Sequence, residues 1–159
     1  MERVAVIGSG VMGAGIAAHL ANAGVSVELL DIVPKGAEDP DVLARGAIAQ
    51  LPRTKPAPLM HADFAERIRP GNLEDHLGRV AEADWIIEVV LEDLNIKQHV
   101  FKQLEKVRKD GSIISSNTST IPRAQLTKGM GKRFARDFMI THFFNPPRYL
   151  RLLEIVPSP

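Results

Sequence analysis

Short apolar runs alternate along this chain with stretches whose apolar residues recur every three or four positions. Val4 to Ile7, Val25 to Leu30, Trp85 to Val90, Ser112 to Ser115 and Phe138 to Thr141 read as strands. The first, third and fifth are almost wholly apolar, the pattern of strands covered on both faces. Between them Met12, Ile16 and Leu20 form one helical stripe, and Val100, Phe101, Leu104 and Val107 form another. A further helix is expected from about Asp41 to Gln50, broken by Pro52, Pro56 and Pro58, which make an exposed connection. Strand and helix in alternation imply a parallel sheet joined by right-handed crossovers.

A length of 159 residues fits one domain built on one core. With 20 Lys and Arg against 19 Asp and Glu, no charge excess argues for a nucleic acid or an anionic membrane as partner. The chain has no cysteine, which removes disulfides and thiolate metal sites and agrees with a reducing cytoplasm. The apolar run at Val4 to Ile7 is too short for a signal-peptide core or a membrane span. His19, His61, His76 and His99 show no metal-ligand spacing, so no metal is expected.

The chemistry begins at "VAVIGSGVMGAG", where Gly8, Gly10 and Gly13 follow G-x-G-x-x-G spacing between a strand and a helix. Such glycines allow a sharp turn, close backbone approach to a pyrophosphate, and tight helix packing, with the helix N-terminus aimed at the phosphates. Val11 and Met12, inside the motif, join it as cofactor contacts. The second strand ends at Asp31, placed to accept hydrogen bonds from an adenosine ribose and to repel the extra phosphate of NADP. NAD is the expected cofactor, on a Rossmann-type doubly wound, mainly parallel sheet with helices on both faces and strand order 3-2-1-4-5-6. An ordinary tight turn and an acidic strand end are the competing account of the same residues.

Three further segments, "WIIEVVLEDLNIKQHVF", "SNTST" and "THFFNPP" with "LLEIVP", together with the glycine loop, closely resemble the NAD-binding domain of the 3-hydroxyacyl-CoA dehydrogenases, in particular the bacterial β-oxidation type. The resemblance implies reversible oxidation of 3-hydroxyacyl-CoA to 3-oxoacyl-CoA, with His142 as catalytic base, Glu154 as its carboxylate partner and Ser119 on the reacting oxygen. It also implies that Glu92, Lys97 and Asn145 contact NAD. The residues agree as far as they go, since alcohol oxidation needs a base that works near neutral pH and a carboxylate can orient an imidazole. Other accounts stay open: His142 as a core histidine, Glu92 and Lys97 as a surface pair worth about 0–1 kcal/mol, and Asn145 as a turn residue. Thr120, ahead of Ile121 and Pro122, reads as a helix N-cap, and Asn117 as a residue that orders its loop.

Two departures from the family qualify this expectation. Its long helical excursion after the second strand is replaced by the short proline-rich "RGAIAQLPRTKPAPLMHADF", where Arg53 and Lys55 are more naturally solvated than bound to CoA. Its C-terminal helical domain, which closes the acyl-CoA site and forms dimer contacts, has no counterpart in 1–159. The chain is therefore expected to be a piece of a homo-oligomeric or multidomain β-oxidation protein, able to bind NAD but poorly active alone. A non-catalytic NAD-binding module, or a dehydrogenase of another β-hydroxyacid or an imine, would share the glycine loop.

Overall fold

A computed structural model describes residues 1–158; Pro159, the last residue of the expected domain, lies outside the described residues. Six parallel strands, β1 (Arg3–Ile7), β2 (Ser26–Asp31), β3 (Ile68–Asn72), β4 (Trp85–Glu88), β5 (Ile113–Ser116) and β6 (Phe138–Phe143), are joined by an antiparallel β7 (Leu153–Val156) in the order β3-β2-β1-β4-β5-β6-β7. The first six strands follow the order expected of a Rossmann-type doubly wound sheet. The chain runs outward from β1 to β3 and then crosses back to β4. That reversal opens a crevice at the carboxyl ends of β1 and β4, where ligands of such sheets bind.

Alternation along β1 divides the core in two. Val4 and Val6 pack with Leu29 against α1 (Val11–Asn22) and α2 (Val42–Gln50) on one face. Ala5 and Ile7 pack on the other face with Phe101 of α3 (Leu94–Val107), Phe134 of α5 (Lys132–Asp137) and Phe138. The three phenylalanine rings lie with centroids 5.1 to 5.4 Å apart, a spacing that favours tilted and offset contacts. A short α4 (Arg123–Leu126) closes the same side through the buried Leu126. Polar rungs cross the sheet as well: Ser115 Oγ accepts from Trp85 Nε1–H at 2.8 Å and from the Thr141 hydroxyl at 2.7 Å.

Three expectations need correction. Among the described residues seven strands are present where five were read, because β3 carries Pro70 and Gly71 and β7 is short, interrupted by Glu154 and largely exposed. Both are edge strands, where a missing N–H and a mixed face are tolerated. The proline-rich connection is not simply exposed, since Pro58 and Leu59 are buried against the α1 face. Arg148 donates to the carbonyls of Ala57 and Leu59, at 2.7 and 2.9 Å, and so ties that connection to the turn after β6. Finally, Thr120 caps no helix: α4 has Pro122 at its N-cap, and the hydroxyl of Thr118 instead accepts the Ile121 N–H at 3.0 Å.

Candidate active site

The loop after β1 is shaped by backbone contacts that leave no room for side chains. Gly8 has φ +103, and a Cβ there would stand 2.7 Å from the Val89 carbonyl oxygen. At Gly13 a Cβ would fall 1.8 Å from the carbonyl oxygen of Gly8, so α1 lies directly against the loop. Gly10 differs, because a Cβ there would meet nothing within 4 Å; its bareness leaves a surface open for close approach. Immediately beyond it α1 starts with no side-chain cap and no acidic residue in its first turn. The N–H groups at Val11, Met12 and Gly13 are thus free to meet an anion at the positive end of the helix. These residues fit the pyrophosphate of NAD.

Asp31, at the end of β2, is tied to the same loop. One carboxylate oxygen accepts both the N–H and the hydroxyl of Ser9, each at 2.6 Å, and the other accepts the Ile32 N–H at 2.7 Å. The second oxygen, with a single donor, retains a lone pair for a further donor such as a ribose hydroxyl. The contribution of Ser9 was not foreseen; its signal was a hydroxyl between the first two glycines.

On the other side of the crevice, β7 returns antiparallel to β6 with Glu154 directly opposite His142. His142 Nδ1 and Glu154 Oε2 stand 2.7 Å apart, and the ring of Phe144 packs against the imidazole at 4.6 Å between centroids. A neutral imidazole that donates Nδ1–H to the carboxylate has Nε2 as its basic nitrogen. Two cavities of about 370 and 340 Å³ flank this pair, and Ser119 and His142 line both. Met12, Glu92, Lys97 and Asn145 line the larger, and Glu154 the smaller. Asn145 also borders a third cavity of about 400 Å³ beside Gly10 and Val11.

The loop bearing Ser119 is held from two directions. Asn117 Oδ1 accepts the Phe143 N–H at 2.8 Å, so Asn117 orders the loop as expected. From below, one oxygen of Glu92 accepts the Ser119 N–H at 3.2 Å, the Thr120 N–H at 3.3 Å and the hydroxyls of Thr118 and Thr120. Its other oxygen lies 3.2 Å from Lys97 Nζ. Glu92 and Lys97 are therefore no surface charge pair, because the Lys97 side chain is only 1% exposed and bonds Glu88 Oε1 at 2.7 Å. Glu88 was missed by the sequence reading. Its only signal was a carboxylate inside the apolar run Trp85 to Val90.

Partial burial pushes the Glu92 carboxyl up, but the Thr118 hydroxyl, the Lys97 charge and the Thr120 N–H outweigh it and hold the group at about 2. A carboxylate held below its ordinary value grips these donors fully above about pH 4.5 and releases them as pH falls through the folded value. Carbon-13 titration of the Glu92 carboxyl should accordingly give a midpoint near 2. A midpoint near 4.5 would show that the loop is not gripped.

The structure thus gathers Ser119, His142, Glu154, Glu92, Lys97, Asn145 and Met12 around adjoining cavities, while Gly8 and Gly13 act through the backbone and Asp31 stands at the far end of the glycine loop. Comparison with known proteins gives a consistent picture. Residues 3–159 match the family described as "3-hydroxyacyl-CoA dehydrogenase, NAD binding domain". A Bacillus subtilis protein described as "Probable 3-hydroxyacyl-CoA dehydrogenase" is 50% identical over 99% of this chain and 22% of its own length. The fatty acid oxidation complex subunit alpha of Psychrobacter arcticus is 34% identical over 98% of this chain and 21% of its own. Among solved structures, the (S)-3-hydroxybutyryl-CoA dehydrogenase PaaH1 of Ralstonia eutropha superposes with a TM-score of 0.79 at 29% identity, over 98% of this chain and 53% of that one. The chain spans about one fifth of the length of the two curated relatives. No helix among the described residues is long and apolar enough to cross a membrane.

Proposed function

The chain belongs to the 3-hydroxyacyl-CoA dehydrogenase family, as its NAD-binding domain, and from that premise we propose that it carries the cofactor site and the proton-transfer pair of an NAD-dependent 3-hydroxyacyl-CoA dehydrogenase acting in β-oxidation. The reaction is the reversible oxidation of a 3-hydroxyacyl-CoA to its 3-oxoacyl-CoA. NAD supplies the hydride acceptor. His142 Nε2 removes the hydroxyl proton as the carbonyl forms, and returns it in the reverse direction. Glu154 orients the ring and stabilises the imidazolium, and the Ser119 hydroxyl binds the reacting oxygen.

In this reading Gly8, Gly10, Val11, Met12 and Gly13 bind the pyrophosphate, Asp31 accepts from the ribose, and Glu92, Lys97 and Asn145 border the nicotinamide end. The observation that supports it most is the 2.7 Å pairing of His142 with Glu154 in strand register beside Ser119. The remaining walls of the acyl-CoA site belong, in the same reading, to polypeptide outside 1–159. The working enzyme is then a cytoplasmic homo-oligomer or multidomain protein, and the isolated domain binds NAD but turns over slowly, because orientation and water exclusion need those walls.

The test is steady-state oxidation of 3-hydroxybutyryl-CoA and longer homologues by the complete polypeptide, followed as NADH formation. Turnover is expected with NAD, and at about tenfold or more lower kcat/KM with NADP, since Asp31 repels a 2′-phosphate. No oxidation of any chain length, or a preference for NADP, would overturn the proposal.

A further inference from the structure

The sheet interior contains a charged group that the reaction does not use directly. Glu88, the last residue of β4, is fully buried, and its register places it between Ile7 of β1 and Ser116 of β5. A buried carboxylate is tolerated only when its oxygens are satisfied, and here they are: Lys97 Nζ at 2.7 Å, the Val90 N–H at 2.7 Å and the Ser116 hydroxyl at 2.5 Å. Burial still pushes its carboxyl up against the pull of Lys97. As a source of stability such a pair is poor, because an apolar pair of similar volume commonly serves as well or better. Its geometry suggests a different use.

Lys97 has three N–H donors, and each has an acceptor: Glu88 Oε1 at 2.7 Å, Glu92 Oε2 at 3.2 Å and the Val90 carbonyl at 3.4 Å. The helix that carries it is fixed at its start by Asp93, whose carboxylate accepts the Asn95 and Ile96 N–H groups at 2.9 and 3.0 Å. The ammonium is thereby aimed inward, beneath the crevice. Beyond it stands Glu92, whose far oxygen accepts the N–H of Ser119 itself.

We infer that Glu88 is a positioning residue for the reaction: its buried carboxylate fixes Lys97, Lys97 fixes Glu92, and Glu92 holds the loop that presents Ser119. The inference rests on the role given to Ser119 above.

The experiment uses the complete polypeptide with Lys97→Met, the neutral double variant Glu88→Gln/Lys97→Met, and Ser119→Ala. In cofactor-free protein the amides of Ser119 and Thr120 should exchange with deuterium at least about tenfold faster in the first two variants, while β1 and α3 amides stay protected. The kcat for 3-oxoacyl-CoA reduction should fall about 10²-fold, as a small misplacement of a positioning group can do. Added to Ser119→Ala, the double substitution should lower kcat little further, since residues acting through one group are not additive.

Undiminished kcat, loop amides that stay protected, or a fully additive loss on Ser119→Ala would each overturn the inference. If the double variant does not fold, Glu92→Ala removes the acceptor of the loop at a side chain 38% exposed while the Glu88–Lys97 bond is kept, and unchanged loop exchange there is equally decisive. A His142→Gln variant separates the two claims. Activity in that variant sinks the proposed function, whereas an inactive His142→Gln beside a fully active double variant sinks only the role of Glu88.

Discussion

Replacing His142 by glutamine in the complete polypeptide should lower kcat by about 10²–10⁴-fold in both directions, the usual contribution of a positioned acid–base group. Glutamine is of similar size and can still donate to Glu154, so the β6–β7 pairing and the fold should survive. What it lacks is a nitrogen that can take up a proton at the Nε2 position. The affinity for NAD, measured by calorimetry, should change by less than about twofold, because the glycine loop and Asp31 lie across the crevice and share no hydrogen bond with His142. Glu154→Gln should cost less than His142→Gln, since an amide can still accept from Nδ1–H and only the stabilisation of the imidazolium is lost. Full turnover in His142→Gln would remove the base assignment, and a parallel collapse of NAD binding would show that the substitution acts on the fold.

How much of this was legible depended on whether the signal was local. Gly8, Gly10 and Gly13 announce themselves because their spacing between a strand and a helix is written within one short stretch, although only the contact of Gly13 with Gly8 is itself local. The apolar strands β1 and β4 were equally plain. By contrast β3, "IRPGN", shows no strand pattern, and only its parallel pairing with β2 makes it one. Glu88 illustrates the harder case. In sequence it is an acid inside an apolar run, and its partners Lys97 and Ser116 lie 9 and 28 residues away on a helix and another strand. His142 and Glu154 were found by family resemblance, since a histidine in an apolar segment is by itself weak evidence. The antiparallel register that sets them face to face came only with the structure.

The second large effect concerns two glycines of one motif that should fail in opposite ways. An alanine at Gly13 would force its Cβ against the Gly8 carbonyl, a contact of 1.8 Å that no rotamer relieves because both partners are backbone. Helix α1 must then move off the loop, at a cost of about 1–3 kcal/mol, typical of overpacking, and a Tm lower by about 2–4 °C for each kcal/mol in a domain of this size. NAD binding should fall with it, because the displaced helix N-terminus no longer meets the pyrophosphate. An alanine at Gly10 meets nothing within 4 Å in the protein, so Gly10→Ala should keep the parent Tm to within about 1 °C. Its methyl group nevertheless occupies the surface left bare for the phosphates, and NAD affinity should drop by about tenfold or more. Thermal unfolding and calorimetry on the two variants separate the roles. If Gly10→Ala binds NAD normally, the bare surface at the start of α1 is not where the pyrophosphate lies; if Gly13→Ala keeps both its Tm and its affinity, the close packing of α1 on the loop is not what holds the site open.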